Sequence, residues 1–154
     1  MLKKRNFVLL LALAFIGLGV SSCEKEGGNE KKISHHSDNE SHNMGQDCMG
    51  CHKSGGEGSG WFNAAGTVYD STLVSTLSNT TIRLYTQPNG GGQLKYTLEG
   101  DSKGNFYTTE DVNFGDGLYP SVQGPNGKKF MSTSVKIGAC NSCHGVTNDK
   151  LWGY

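Results

Sequence analysis

Residues 61–137 are a string of short β-type runs broken at regular intervals by Gly, Asn, Asp and Pro, and this punctuation constrains the fold more than any other feature. The runs cover 64–70, 80–86, 93–99, 105–110, 117–123 and 128–134, and the second alternates apolar and polar residues with period two. Pro88-Asn89-Gly90-Gly91-Gly92, Asp101-Ser102-Lys103-Gly104-Asn105 and Gly124-Pro125-Asn126-Gly127 supply the turns. The expected fold is therefore mainly β, a small antiparallel β-sandwich of six or seven strands. With 23 glycines and only 34% hydrophobic residues the core must be thin, which disfavours a long helix bundle.

Two pentapeptides flank these runs: Cys48-Met49-Gly50-Cys51-His52 and Cys140-Asn141-Ser142-Cys143-His144. Both read C-x-x-C-H, the pattern of c-type haem attachment. The spacing has a chemical reason. Two thiols three positions apart can each add to one vinyl group of the same porphyrin, and the histidine that follows can turn its imidazole onto the iron. Cys48, Cys51, Cys140 and Cys143 are thus the expected attachment points of two c-type haems, with His52 and His144 as proximal iron ligands. Met44, His42 and Met131 are the candidate distal ligands, with His35 and His36 further away in sequence. The same four cysteines could instead hold one Zn2+ as a four-thiolate site, or pair as two disulfides. Zinc would leave both histidines without a role, and no βαβ pattern follows either motif as a thioredoxin-like site would require.

The chain begins with a charged stretch, then an apolar run from Phe7 to Val20 and the small pair Ser21-Ser22 before Cys23, the order of an export signal over 1–22. The apolar run is short for a membrane-spanning helix. Val20-Ser21-Ser22-Cys23 resembles the lipobox of bacterial lipoproteins, which implies acylation of Cys23 and a membrane anchor outside the cytoplasm. By the same resemblance, Glu24 in place of Asp after the cysteine points to the outer membrane, on its periplasmic or cell-surface face. The five cysteines then divide into one lipid site and two pairs. From 23 to 46 the sequence is polar, with Ile33 its one aliphatic residue, and reads as a disordered tether leading to a domain over 47–154. Without Lys3, Lys4 and Arg5 the charge balance is 11 positive against 14 negative residues, and no basic patch interleaves with aromatics, so nucleic acid is not an expected partner.

Gly66-Thr67-Val68-Tyr69-Asp70, Thr81-Ile82-Arg83-Leu84-Tyr85, Asp101-Ser102-Lys103-Gly104-Asn105-Phe106-Tyr107 and Gly117-Leu118-Tyr119-Pro120-Ser121-Val122 together resemble the landmarks of the carboxypeptidase regulatory-like domain, a prealbumin-type β-sandwich. That likeness covers about half the chain and implies a scaffold without chemistry of its own. The two motifs make the whole similar to small multihaem c-type cytochromes, where the cofactors supply much of the core. The resemblance implies electron transfer between redox proteins of an extracytoplasmic chain, not catalysis. A di-haem peroxidase would need an open iron and positioned acid–base groups, and Arg83 is the only arginine after the export signal. The remaining class is an anchored β-sandwich binding module whose paired cysteines hold zinc or disulfides.

Overall fold

The computed structural model describes residues 29–154. The export signal over 1–22 and the expected lipid site Cys23 lie outside the described residues. Within them the chain forms one four-residue helix and seven strands: α1 (Cys48–Cys51), β1 (Ala64–Thr67), β2 (Thr81–Tyr85), β3 (Leu94–Glu99), β4 (Asn105–Thr108), β5 (Tyr119–Gly124), β6 (Gly127–Phe130) and β7 (Gly138–Ala139). They make a three-stranded sheet in the order β4-β1-β7 and a four-stranded sheet in the order β3-β2-β5-β6. The mainly β, two-sheet fold read from the sequence is present. No helix among the described residues is long and apolar enough to cross a membrane.

Alternation places the core. Along β2, Ile82 and Leu84 are buried while Thr81, Arg83 and Tyr85 are half-buried, so one face of the central strand points inward. Leu98, Leu118 and Val122 join them from the same half of the fold, and Ala64, Val68 and Phe106 come from the other. The turn after β3 moves the chain between sheets. There the Asp101 carboxylate accepts hydrogen bonds from the backbone N–H groups of Lys103 (2.9 Å) and Asn105 (3.0 Å), the local bonding that makes Asp a turn former. The hairpin from β5 to β6 closes through Pro125-Asn126, with Gly124 opposite Gly127, where the sequence placed a tight turn.

Every residue of β1 is buried, because both of its faces are covered. One face meets the core through Ala64 and Val68, and on the other the Thr67 hydroxyl is hydrogen-bonded to Gly45, Asn105 and Asn141. Gly66 lets Phe106 and the start of the second motif pack together on the core face: a Cβ there would lie 2.8 Å from the Phe106 ring and 3.0 Å from Cβ of Cys140.

Two expectations are corrected. The sandwich is not wholly antiparallel, since β7 runs parallel to β1 with Ala64 opposite Gly138 and Ala65 opposite Ala139. This short strand was not legible as a run, and it exists because Gly138 has no side chain; a Cβ would collide with the Asn63 carbonyl and the Ala64 backbone. The segment over 29–46 is also not a free tether. It lies along the outer edge of β4, where Ile33 bridges Thr108 and Ser34 is fully buried. Ser34 donates its N–H to the Tyr107 carbonyl (3.0 Å) and accepts the Tyr107 N–H on its hydroxyl (2.9 Å), and Thr109 N–H donates to the Lys32 carbonyl (2.8 Å). Composition hides this because backbone and hydroxyl groups, rather than aliphatic area, do the docking; the open edge of β4 is thereby covered.

Candidate functional site

Each pentapeptide forms one short helical turn, α in the first and 3-10 in the second. In the first, α1 is capped by Asp47, whose carboxylate accepts the Met49 N–H (3.2 Å), and the His52 N–H donates to the Cys48 carbonyl (2.9 Å). In the second, Cys140–Ser142 forms a single 3-10 turn directly after β7, and the His144 N–H donates to the Cys140 carbonyl, again at 2.9 Å. One helical turn thus brings cysteine, cysteine and histidine to one locality in each motif.

Both imidazoles are then fixed in the same way. His52 Nδ1 lies 3.0 Å from the Ser59 carbonyl, and His144 Nδ1 lies 2.8 Å from the Asp149 carbonyl. A carbonyl oxygen only accepts, so in the neutral ring Nδ1 carries the proton and Nε2 keeps its lone pair. That is the state in which an imidazole ligates a metal, with the backbone carbonyl orienting the ring. Gly58 permits this at the first motif, because a Cβ there would strike the His52 ring at 2.7 Å from Nδ1.

Around His52 the site is a cleft lined by His42, Cys48, Cys51, Phe62, Phe106 and Tyr107. Phe62 stacks on His52 with ring centres 4.1 Å apart and planes at 6°, and Tyr107 stacks on the other side of Phe62 at 4.5 Å. Of the aromatics close to the motifs in sequence, Phe62 is the one that meets a motif histidine. Trp152 and Tyr154 pack edge to face with each other, and the Tyr154 carbonyl accepts the Asn126 N–H beside the β5–β6 turn.

The motifs are neighbours, and Asn141 joins them. Its carboxamide donates to the Gln46 carbonyl (2.8 Å), two residues before Cys48, and to the Thr67 hydroxyl (3.1 Å), and it accepts the Thr67 N–H (3.1 Å). β7 ends one residue before Cys140, so this side chain continues the β1 ladder where no backbone partner is left. Thr67 also accepts the Gly45 N–H (2.9 Å) and donates to the Asn105 carboxamide oxygen (2.5 Å). Pattern reading missed Asn141, since the motif treats its position as free. Asn141→Leu should leave the buried Thr67 N–H unpaired and lower stability by about 1–3 kcal/mol, a loss that urea unfolding of the variant measures.

The thiols differ within each motif. Cys51 and Cys143 are exposed, whereas Cys48 and Cys140 are half-buried. Burial pushes the Cys48 thiol above its ordinary range, and burial followed by the neighbouring Cys48 pushes Cys140 up to about 12. A raised value means less thiolate at a given pH. Iodoacetamide at pH 8 on protein with unmodified cysteines is therefore expected to label Cys51 and Cys143 first and Cys140 last, read by peptide mass mapping over time.

Of the distal candidates, His42 lines the first cleft, with its ring centre 5.9 Å from that of His52. Met44 is 45% exposed and is not among the residues lining that cleft. Met131 follows β6, and its N–H donates to the Pro120 carbonyl (2.9 Å) in the four-stranded sheet. His35 and His36 are held elsewhere: both face the Glu99 carboxylate, at 3.6 and 3.9 Å, and His36 Nδ1 lies 3.0 Å from the Gly100 carbonyl. Among the described residues, no three His, Cys, Asp or Glu side chains gather as a metal-holding group.

A scan against protein-family models, a search of curated proteins and a search of solved structures each returned no match to this chain.

Proposed function

We propose that this chain is a di-haem c-type cytochrome, an electron carrier anchored by a lipid on Cys23 to the outer membrane, which passes single electrons between redox proteins of an extracytoplasmic chain. The observation that carries the reading is the repeated geometry of the two C-x-x-C-H turns. Each holds its histidine by an Nδ1 hydrogen bond to a backbone carbonyl, at 3.0 and 2.8 Å, and so keeps Nε2 available as a ligand. The donor set fits the group: two cysteines and one imidazole on a single turn, twice. Iron porphyrin supplies a one-electron couple when bound.

The chain's own part is to attach, orient and shield. Cys48 with Cys51, and Cys140 with Cys143, would hold the porphyrins by thioether bonds, with His52 and His144 as proximal ligands. Phe62 and Tyr107 wall the first site, and Phe106 joins that wall to the core. Strand β1 and Asn141 hold the two motif segments next to each other, and haems attached there would be placed to pass an electron from one to the other.

The alternative is an anchored β-sandwich binding module with zinc or disulfides on the cysteines, and the contact between Asn141 and Gln46 brings the motif segments close enough to make it worth testing. The deciding experiment is an intact-mass measurement with a pyridine haemochrome spectrum, on protein matured by the c-haem attachment machinery. Two haems that survive acid denaturation are expected. A colourless product, or one carrying zinc, would overturn the reading in favour of the binding module.

A further inference from the structure

The geometry points to His42 as the distal ligand of the iron held by His52, so that the first haem is ligated by two histidines; this rests on the di-haem reading above. A metal held between two imidazole nitrogens at about 2 Å each puts the ring centres roughly 6 Å apart, once about 1 Å from each nitrogen to its ring centre is added. The His42 and His52 ring centres are 5.9 Å apart. Their planes meet at 38°, which two imidazoles sharing one ligand axis can adopt by rotating about it, and both rings line the same cleft as Cys48 and Cys51.

His42 does not reach this place on a loose loop. On one side, Lys103 Nζ donates to the Ser41 carbonyl (2.8 Å), and the Asn105 carboxamide donates to the Ser41 hydroxyl (2.9 Å) and the His42 carbonyl (3.3 Å). On the other, Asn43 and Gly45 take positive φ, at 53° and 84°, and turn the chain back toward the Asp47 cap. Gly45 lies so close to the Tyr69 hydroxyl that any side chain there would collide with it, and its N–H donates to Thr67. The His42 backbone is thus bonded on both flanks to β1 and β4 while its side chain stays exposed on the cleft. A ligand placed in advance in this way loses less conformational freedom when it binds. His35 and His36 are committed to Glu99, and Met44 does not line the cleft, so His42 is the histidine outside the motifs that this site presents.

The test uses the matured, full-length protein and its His42→Ala and His42→Met variants, with Met44→Leu as a control. Intact mass first establishes that two haems are attached in each. His42→Ala is expected to bind one more carbon monoxide per chain than the parent when reduced, and added imidazole should suppress that extra binding. His42→Met should keep the site closed and move one midpoint potential to a more positive value, as replacement of imidazole by thioether does. Unchanged carbon monoxide uptake in His42→Ala, or the gain appearing in Met44→Leu instead, would overturn the assignment while leaving the di-haem reading intact. Absence of covalent haem in the parent would remove the reading itself.

Discussion

Replacing Cys48 and Cys51 together by alanine is expected to remove one covalently bound haem and leave the other, and replacing Cys140 and Cys143 should do the converse. Each turn is built from its own surroundings: α1 by the Asp47 cap and the Ser59 carbonyl, the second motif by β7 and the Asp149 carbonyl. Neither needs the other's thiols to form. Each double variant should therefore show half the haemochrome absorbance of the parent and a mass lower by one haem. A variant that keeps both haems, or a parent that carries a single porphyrin shared between the motifs, would refute two independent sites.

The second large effect concerns the scaffold. Phe106 is the largest of the fully buried side chains, 1% exposed, and it packs in the core beside Gly66 of β1, where Cys140 also lies. Phe106→Ala should cost about 3–5 kcal/mol through lost burial and the void left behind. Against the roughly 5–15 kcal/mol that holds a domain together, that is a large fraction. The melting temperature of haem-free protein should fall by roughly 10–20 °C. Phe106 is also among the residues lining the first cleft, and Cys140 packs against the same core, so the variant, if it folds, should also load haem poorly.

The parts of the fold that the sequence disclosed are those written in side-chain chemistry at fixed spacing. Ile82 and Leu84 announce β2 by alternation, Asp101 and Gly104 mark the change of sheet, and each C-x-x-C-H states its own turn. What stayed hidden is written in long-range pairing. The parallel strand β7 is two residues long and depends on the missing side chain of Gly138, which no periodicity reports. Asn141 acts through a backbone group 74 positions away, at Thr67. The docking of 29–46 rests on hydroxyl and backbone donors that composition counts as solvated. His42 is one of several distal candidates in sequence and separates from them through its place in the first cleft, 5.9 Å from His52 between ring centres.

On the proposed lipid anchor at Cys23, the docked segment sets how far the domain could stand from the membrane. Were 23–46 a free tether, 23 peptide steps of extended chain could carry the haem motifs about 80 Å from an acylated Cys23. With the chain held to Trp61 by Asn29 and to the edge of β4 from Lys32 onward, six steps remain between Cys23 and Asn29, about 20 Å at full stretch. If the chain is the anchored electron carrier proposed above, a redox partner would have to come to the bilayer surface to meet it, because a leash of that length would leave the domain too little slack to search the space beyond.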